Sequence, residues 1–111
     1  MKTIIAWLLL SVSLFAATHT PKDILVLHSY HRGYKWSDDI SKTIEKHFSD
    51  RDNIFISTVY MDTKRVDTPD YLNSFYEHFK AQFKEYKFDV VMAVDNSALE
   101  FIREHYYSPK E

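Results

Sequence analysis

The sequence predicts an α/β protein, a three-layer β-α-β-α-β-α unit on a parallel sheet with strand order 2-1-3. Three observations predict it. Short apolar or β-branched runs recur at Ile24 to His28, Ile54 to Met61 and Phe88 to Val94. A segment with helical spacing follows each run. Strands separated by helices of this length imply right-handed crossovers, so the three strands run the same way in one sheet.

The elements follow in chain order. Residues 1–17, "MKTIIAWLLLSVSLFAA", carry a cation at Lys2, an apolar run from Ile4 to Phe15 and small residues at Ala16 and Ala17. That is the three-part pattern of a secretory signal, and the run is short of the roughly 20 apolar residues a bilayer span needs. Leu14 and Phe15 are larger than a cleavage site prefers, so the segment is expected either to be removed or to stay as an N-terminal anchor. The expected location is periplasmic or otherwise extracytoplasmic. With no cysteine in the chain, stability there has to come from packing.

Residues 22–108 form the expected folded unit. Ile24 to His28 is an apolar run suited to a strand covered on both faces. Ser37 or Asp38 is the expected cap of the first helix, whose stripe is Trp36, Ile40, Ile44 and Phe48. "SDRDN" ends it, and Ile54 to Met61 is the second strand. Pro69 and Asp70 open a second helix, with Leu72, Phe75, Tyr76, Phe79 and Phe83 at spacings of three and four. "FDVVMAV" is the third strand. Asn96 or Ser97 is expected to cap a third helix carrying Leu99, Ile102 and Tyr106, which stops before Pro109.

Composition narrows the function. A formal net charge of -2 with interspersed signs gives no basic footprint, so no nucleic-acid partner is expected. Hydrophobic residues make up 45% of the chain and aromatics 16%, which calls for a packed core rather than a disordered tail. The single glycine, Gly33, leaves no glycine-rich phosphate loop.

Parallel strands bring the segments after them, "SYHRGYKW", "DTKRVDTP" and "DNS", to one edge of the sheet, where open α/β sheets bind ligands. His28 and His31 have a spacing a metal site can use, but no nearby cysteine or acid completes a ligand set, and no metal or other cofactor is expected. Asp62 and Asp95 are a possible carboxylate pair for acid–base work, yet each equally suits a turn or a helix start, and there is no visible nucleophile. Lys64 and Arg65 are candidates to clamp an anion, against the commoner role of solvated loop charges. Rings and hydroxyls beside few charges suit a small organic ligand.

Together, "ILVLHSYHRGYKWSDDI", "VYMDTKR" and "FDVVMAVDNSALEFI" resemble the opening of periplasmic-binding-protein-like domains related to ABC-transporter substrate-binding proteins. Bacteria also use such domains as extracytoplasmic sensors ahead of histidine kinases and diguanylate cyclases. The likeness runs from Ile24 to about Tyr106. It implies part of the N-terminal lobe of a type I fold in which two lobes hold the ligand between them. Carried over position by position, the cleft residues it implies are Ser29, Tyr30 and Trp36, then Asp62 and Thr63, then Asp95 and Asn96. It implies solute recognition without catalysis, first as the sensor part of a signalling protein and second as a transporter's substrate-binding protein. A small exported hydrolase using Asp62 and Asp95 is a third reading. Asp95 also resembles the phosphoacceptor position of receiver domains, but "HSYH" stands where those carry an acidic pair for magnesium.

The chain departs from this family in length. It stops after the third helix with no fourth strand, so a partial lobe is expected, whose further partners are a missing C-terminal lobe and a membrane signalling module or an ABC permease. A complete small domain that hides its open edge in a dimer is the alternative. Either way one face of the sheet is thinly covered, and the free edge of the third strand offers unpaired backbone groups to a neighbour.

Overall fold

The structure is a computed structural model that describes residues 20–106. The signal or anchor expected over residues 1–17, and the last two residues of the expected 22–108 unit, lie outside the described residues. The elements are β1 (Lys22–His28), α1 (Lys35–Phe48), β2 (Ile54–Tyr60), α2 (Pro69–Gln82), β3 (Val90–Val94) and α3 (Asn96–Tyr106). The strands form one parallel sheet in the order β2-β1-β3. This is the expected α/β class and strand order. Among the described residues no helix is long and apolar enough to cross a membrane.

Two register lines organise the sheet. His28 lies level with Tyr60 on one side and Val94 on the other, and Leu27 is flanked in the same way by Val59 and Ala93. Side chains alternate along a strand, so Leu25 and Leu27 face one way while Ile24, Val26 and His28 face the other. Leu25 and Leu27 enter the main core with Met61, Phe79, Ala98, Phe101 and Ile102. The rings of Phe75, Tyr76 and Phe79 meet Phe101 edge-on at 5.2, 5.9 and 5.4 Å between centroids. This geometry suits aromatic quadrupoles better than a flat sandwich. All five apolar residues expected along α2 take part. Thr68 caps that helix, its hydroxyl accepting from the Tyr71 N–H at 3.3 Å, with Pro69 at the first helical position.

The opposite face is covered differently. The residues of α1 that are buried are Ser37 and Ser41, whereas Trp36 is 56% exposed. The cause is helical geometry. At about 100° per residue, a strict four-residue spacing rotates by about 40° at each step. The stripe Trp36, Ile40, Ile44, Phe48 therefore winds around the helix, and its first member swings out to solvent. The start of α1 also differs from expectation. Ser37 and Asp38 lie inside the helix, and the N-cap position is Tyr34, whose side chain makes no capping bond. Asp38 serves the turn from within, its Oδ1 accepting from the Gly33 N–H at 3.0 Å. Gly33 has φ of +97°, which is why the lone glycine stands where loop becomes helix.

Two smaller differences concern the third unit. β3 begins at Val90, since Asp89 is engaged with β1: its N–H donates to the Asp23 carbonyl, and its Oδ2 accepts from the Asp23 N–H, both at 2.8 Å. In α3 the buried series is Ala98, Phe101 and Ile102, and the expected Leu99 is 48% exposed. Two apolar series share Ile102, and the sheet selects the one whose ring reaches Phe75 and Phe79.

Candidate functional site

The three polar segments do meet at the carboxyl edge, and Ser29 is the joint between them. Its side chain is buried. The hydroxyl donates to the Val94 carbonyl at 2.7 Å and accepts from the Ala98 N–H at 2.8 Å, tying the end of β1 to the end of β3 and the first turn of α3. Its own carbonyl accepts from the Thr63 N–H at 2.8 Å and from Thr63 Oγ1 at 2.6 Å, which ties in the segment after β2. Ser29 and Thr63 thus hold the edge together. Their hydroxyls are engaged inside the protein.

Asp62 and Asp95 mark the exits of β2 and β3, and each takes a left-handed backbone conformation, φ 65° and 72°. Outside glycine this region is uncommon, and Asp and Asn tolerate it best because a short polar side chain can bond locally. Both residues do this. Asp95 Oδ1 accepts from the Asn96 N–H at 2.7 Å, and Asp62 Oδ1 accepts from Arg65 Nε at 2.7 Å. Asn96 is the exposed first residue of α3. The two carboxylates have separate partners. Arg65, considered as an anion clamp, is paired with Asp62, whose hydrogen bond and charge raise the guanidinium pKa further.

Tyr30 stands beside Asp95. Burial and then the negative charge of the Asp95 carboxylate push the Tyr30 pKa upward. The Tyr30 ring meets Tyr34 edge-on at 5.3 Å between centroids. The Lys64 ammonium sits 4.6 Å from the centre of the Tyr30 ring and 4.8 Å from that of Tyr34. Tyr34 and Lys64 were not among the cleft residues carried over. The signal for them is a pair of tyrosines four apart around the only glycine, opposite a loop cation. His31 Nδ1 lies 3.7 Å from Asp62 Oδ1, close enough for an ion pair when protonated but too long for a hydrogen bond.

Trp36 belongs elsewhere. With Asp39, Ile40, Thr43 and Ile44 it lines an open groove of about 290 Å³ on the outer flank of α1, which contains none of the other six candidates. Thr63 lines a cavity of about 340 Å³ between the starts of α2 and α3, with Asp67, Ser97 and Glu100 on its walls.

His28 lies beneath the edge, fully buried and stacked on Tyr60 with ring centres 5.0 Å apart. Its Nε2 is 2.8 Å from Ser41 Oγ, and its Nδ1 has no hydrogen-bond partner. Burial lowers its pKa, opposed by the Asp38 carboxylate, so the ring is held neutral. Among the described residues no group of three or more His, Cys, Asp or Glu is placed to hold a metal ion.

Comparison with protein-family models, with curated proteins and with solved structures gives no match.

Proposed function

We propose that this chain is an extracytoplasmic solute-recognition module, the first part of a periplasmic-binding-protein-like lobe, which serves as the sensor portion of a histidine kinase or diguanylate cyclase. The observation that carries the reading is the carboxyl edge itself. Three loops are tied there through Ser29, two strand exits hold left-handed aspartates, and the rings of Tyr30 and Tyr34 meet edge-on in the loop after β1. Non-glycine residues in sparsely populated backbone regions cost of order 1–3 kcal/mol each and gather at functional sites. A rigid edge with directed carboxylates and flat rings is what a small organic solute needs for orientation and contact area.

The test is a thermal-shift screen of the full chain against amino acids, small amines and aromatic acids. A binding solute should raise the melting temperature saturably, by the equivalent of about 2.7 kcal/mol at a hundred times its Kd. The shift should vanish in Asp95→Asn, which keeps the left-handed turn and removes the charge. A solute that stabilises wild type and Asp95→Asn equally, or a screen with no saturable shift, sinks the reading. Export is tested by fusing residues 1–17 to a reporter active only outside the cytoplasm, and a silent reporter removes that part. An in-frame kinase or cyclase downstream supports the sensor role, whereas a neighbouring permease and ATPase would replace it with uptake.

A further inference from the structure

We propose that the Tyr30–Tyr34 ring pair is a recognition site for an organic ammonium group, and that Lys64 occupies it in the free protein as an internal surrogate. The inference deepens the solute-recognition reading and rests on it. Both rings lie within the roughly 6 Å at which an aromatic face attracts a cation, and they share one ammonium between them. Among the described residues that ammonium has no carboxylate within ion-pair distance, although the edge carries two aspartates. A lysine held by two ring faces reports where the site prefers positive charge.

The surroundings favour a cation over an anion. The Asp95 carboxylate acts electrostatically on Tyr30, and Arg65, next to Lys64 in sequence, is neutralised by Asp62. The root of Lys64 is fixed, because Thr63 is bonded through N–H and hydroxyl to the Ser29 carbonyl. Its flexible four-carbon stem can swing out by side-chain rotation alone, so an incoming ammonium displaces one cation with another and leaves the backbone in place. A methylated ammonium, more weakly hydrated than the lysine head, has the advantage in that exchange.

The probe is choline, followed by the proton resonance of its trimethyl group, which shifts upfield when seated on ring faces. With the full chain the shift should saturate. Lys64→Ala should tighten binding about fivefold by removing the competitor. The neutral isostere of choline, with carbon in place of nitrogen, should not bind. Tyr34→Ala should abolish the shift, its fold checked by thermal melting, and the isostere comparison decides the matter if that variant does not fold. The assignment is overturned if Lys64→Ala leaves affinity unchanged or weaker, if that variant gives no shift, or if the isostere binds as well as choline. A neutral solute whose binding depends on Asp95, with choline silent, would remove the ammonium assignment and leave solute recognition standing.

Discussion

The two faces of the sheet are covered by opposite means. On the face of α2 and α3, aromatic rings interlock over Leu25 and Leu27. On the face of α1, the helix turns two serines toward a neutral histidine of the sheet, and its tryptophan points to solvent. The first face derives its strength from a large interlocked apolar area, the second from the smaller apolar contribution of Ile24 and Val26 together with one buried hydrogen bond between Ser41 and His28. A helix can therefore be seated on a sheet by small polar residues. The apolar residues of such a helix are then left on its flank.

The largest test of this contrast sets Phe79→Ala against Trp36→Ala. Chemical denaturation should show a loss of about 3–5 kcal/mol for the buried ring and roughly 0.5 kcal/mol or less for the exposed indole. Similar losses at both positions would erase the distinction between the faces. Next is the polar contact beneath α1. Ser41→Ala leaves a buried imidazole with neither nitrogen partnered and should cost about 1–3 kcal/mol, whereas the double change with His28→Phe should recover most of that, because both polar partners are gone. A double variant as weak as the single one would mean that Ser41 matters for packing alone.

Acidity sharpens the comparison further. Burial holds the folded His28 pKa below its ordinary 6.5. As pH falls through that ordinary value the unfolded ring takes up a proton that the folded ring refuses, so stability should drop by up to about 1.4 kcal/mol per pH unit until the folded pKa is reached. Melting curves between about pH 7 and about pH 5 should show this drop in wild type and a shallower one in His28→Phe. Equal slopes would remove His28 as the acid-sensitive point of that face. The smallest effect is at the carboxyl edge. Asp95→Ala forces an alanine into a left-handed turn and should cost about 1 kcal/mol, with Asp95→Asn closer to wild type. If the two variants melt together, the backbone at that turn is not the constraint.

Much of this arrangement was legible in the residues. Three apolar runs with intervening helices led to the parallel sheet, and Leu72, Phe75, Tyr76, Phe79 and Phe83 marked the buried face of α2 because spacings of three and four together track the helical period. The stripe beginning at Trp36 misled, since spacing by four alone drifts around the helix. The start of α1 was hidden because Asp38 bonds backward to Gly33, and residue type does not announce that direction. At the edge, the convergence of loops followed from topology. Which hydroxyls are exposed did not: Ser29 is drawn inward by the need of a carbonyl and an N–H on other elements, and these lie 65 and 69 residues away in sequence.

The left-handed turns at Asp62 and Asp95 also bear on how the gene can drift. Single-base changes carry an aspartate codon to asparagine or glycine, and these are the residues that such backbone tolerates best. Charge at the edge can thus be lost in one step while the turn survives, so folding alone gives selection little means of preserving these carboxylates. Related genes that keep aspartate at both positions, while asparagine and glycine remain one mutation away, would reveal selection for the negative charge itself.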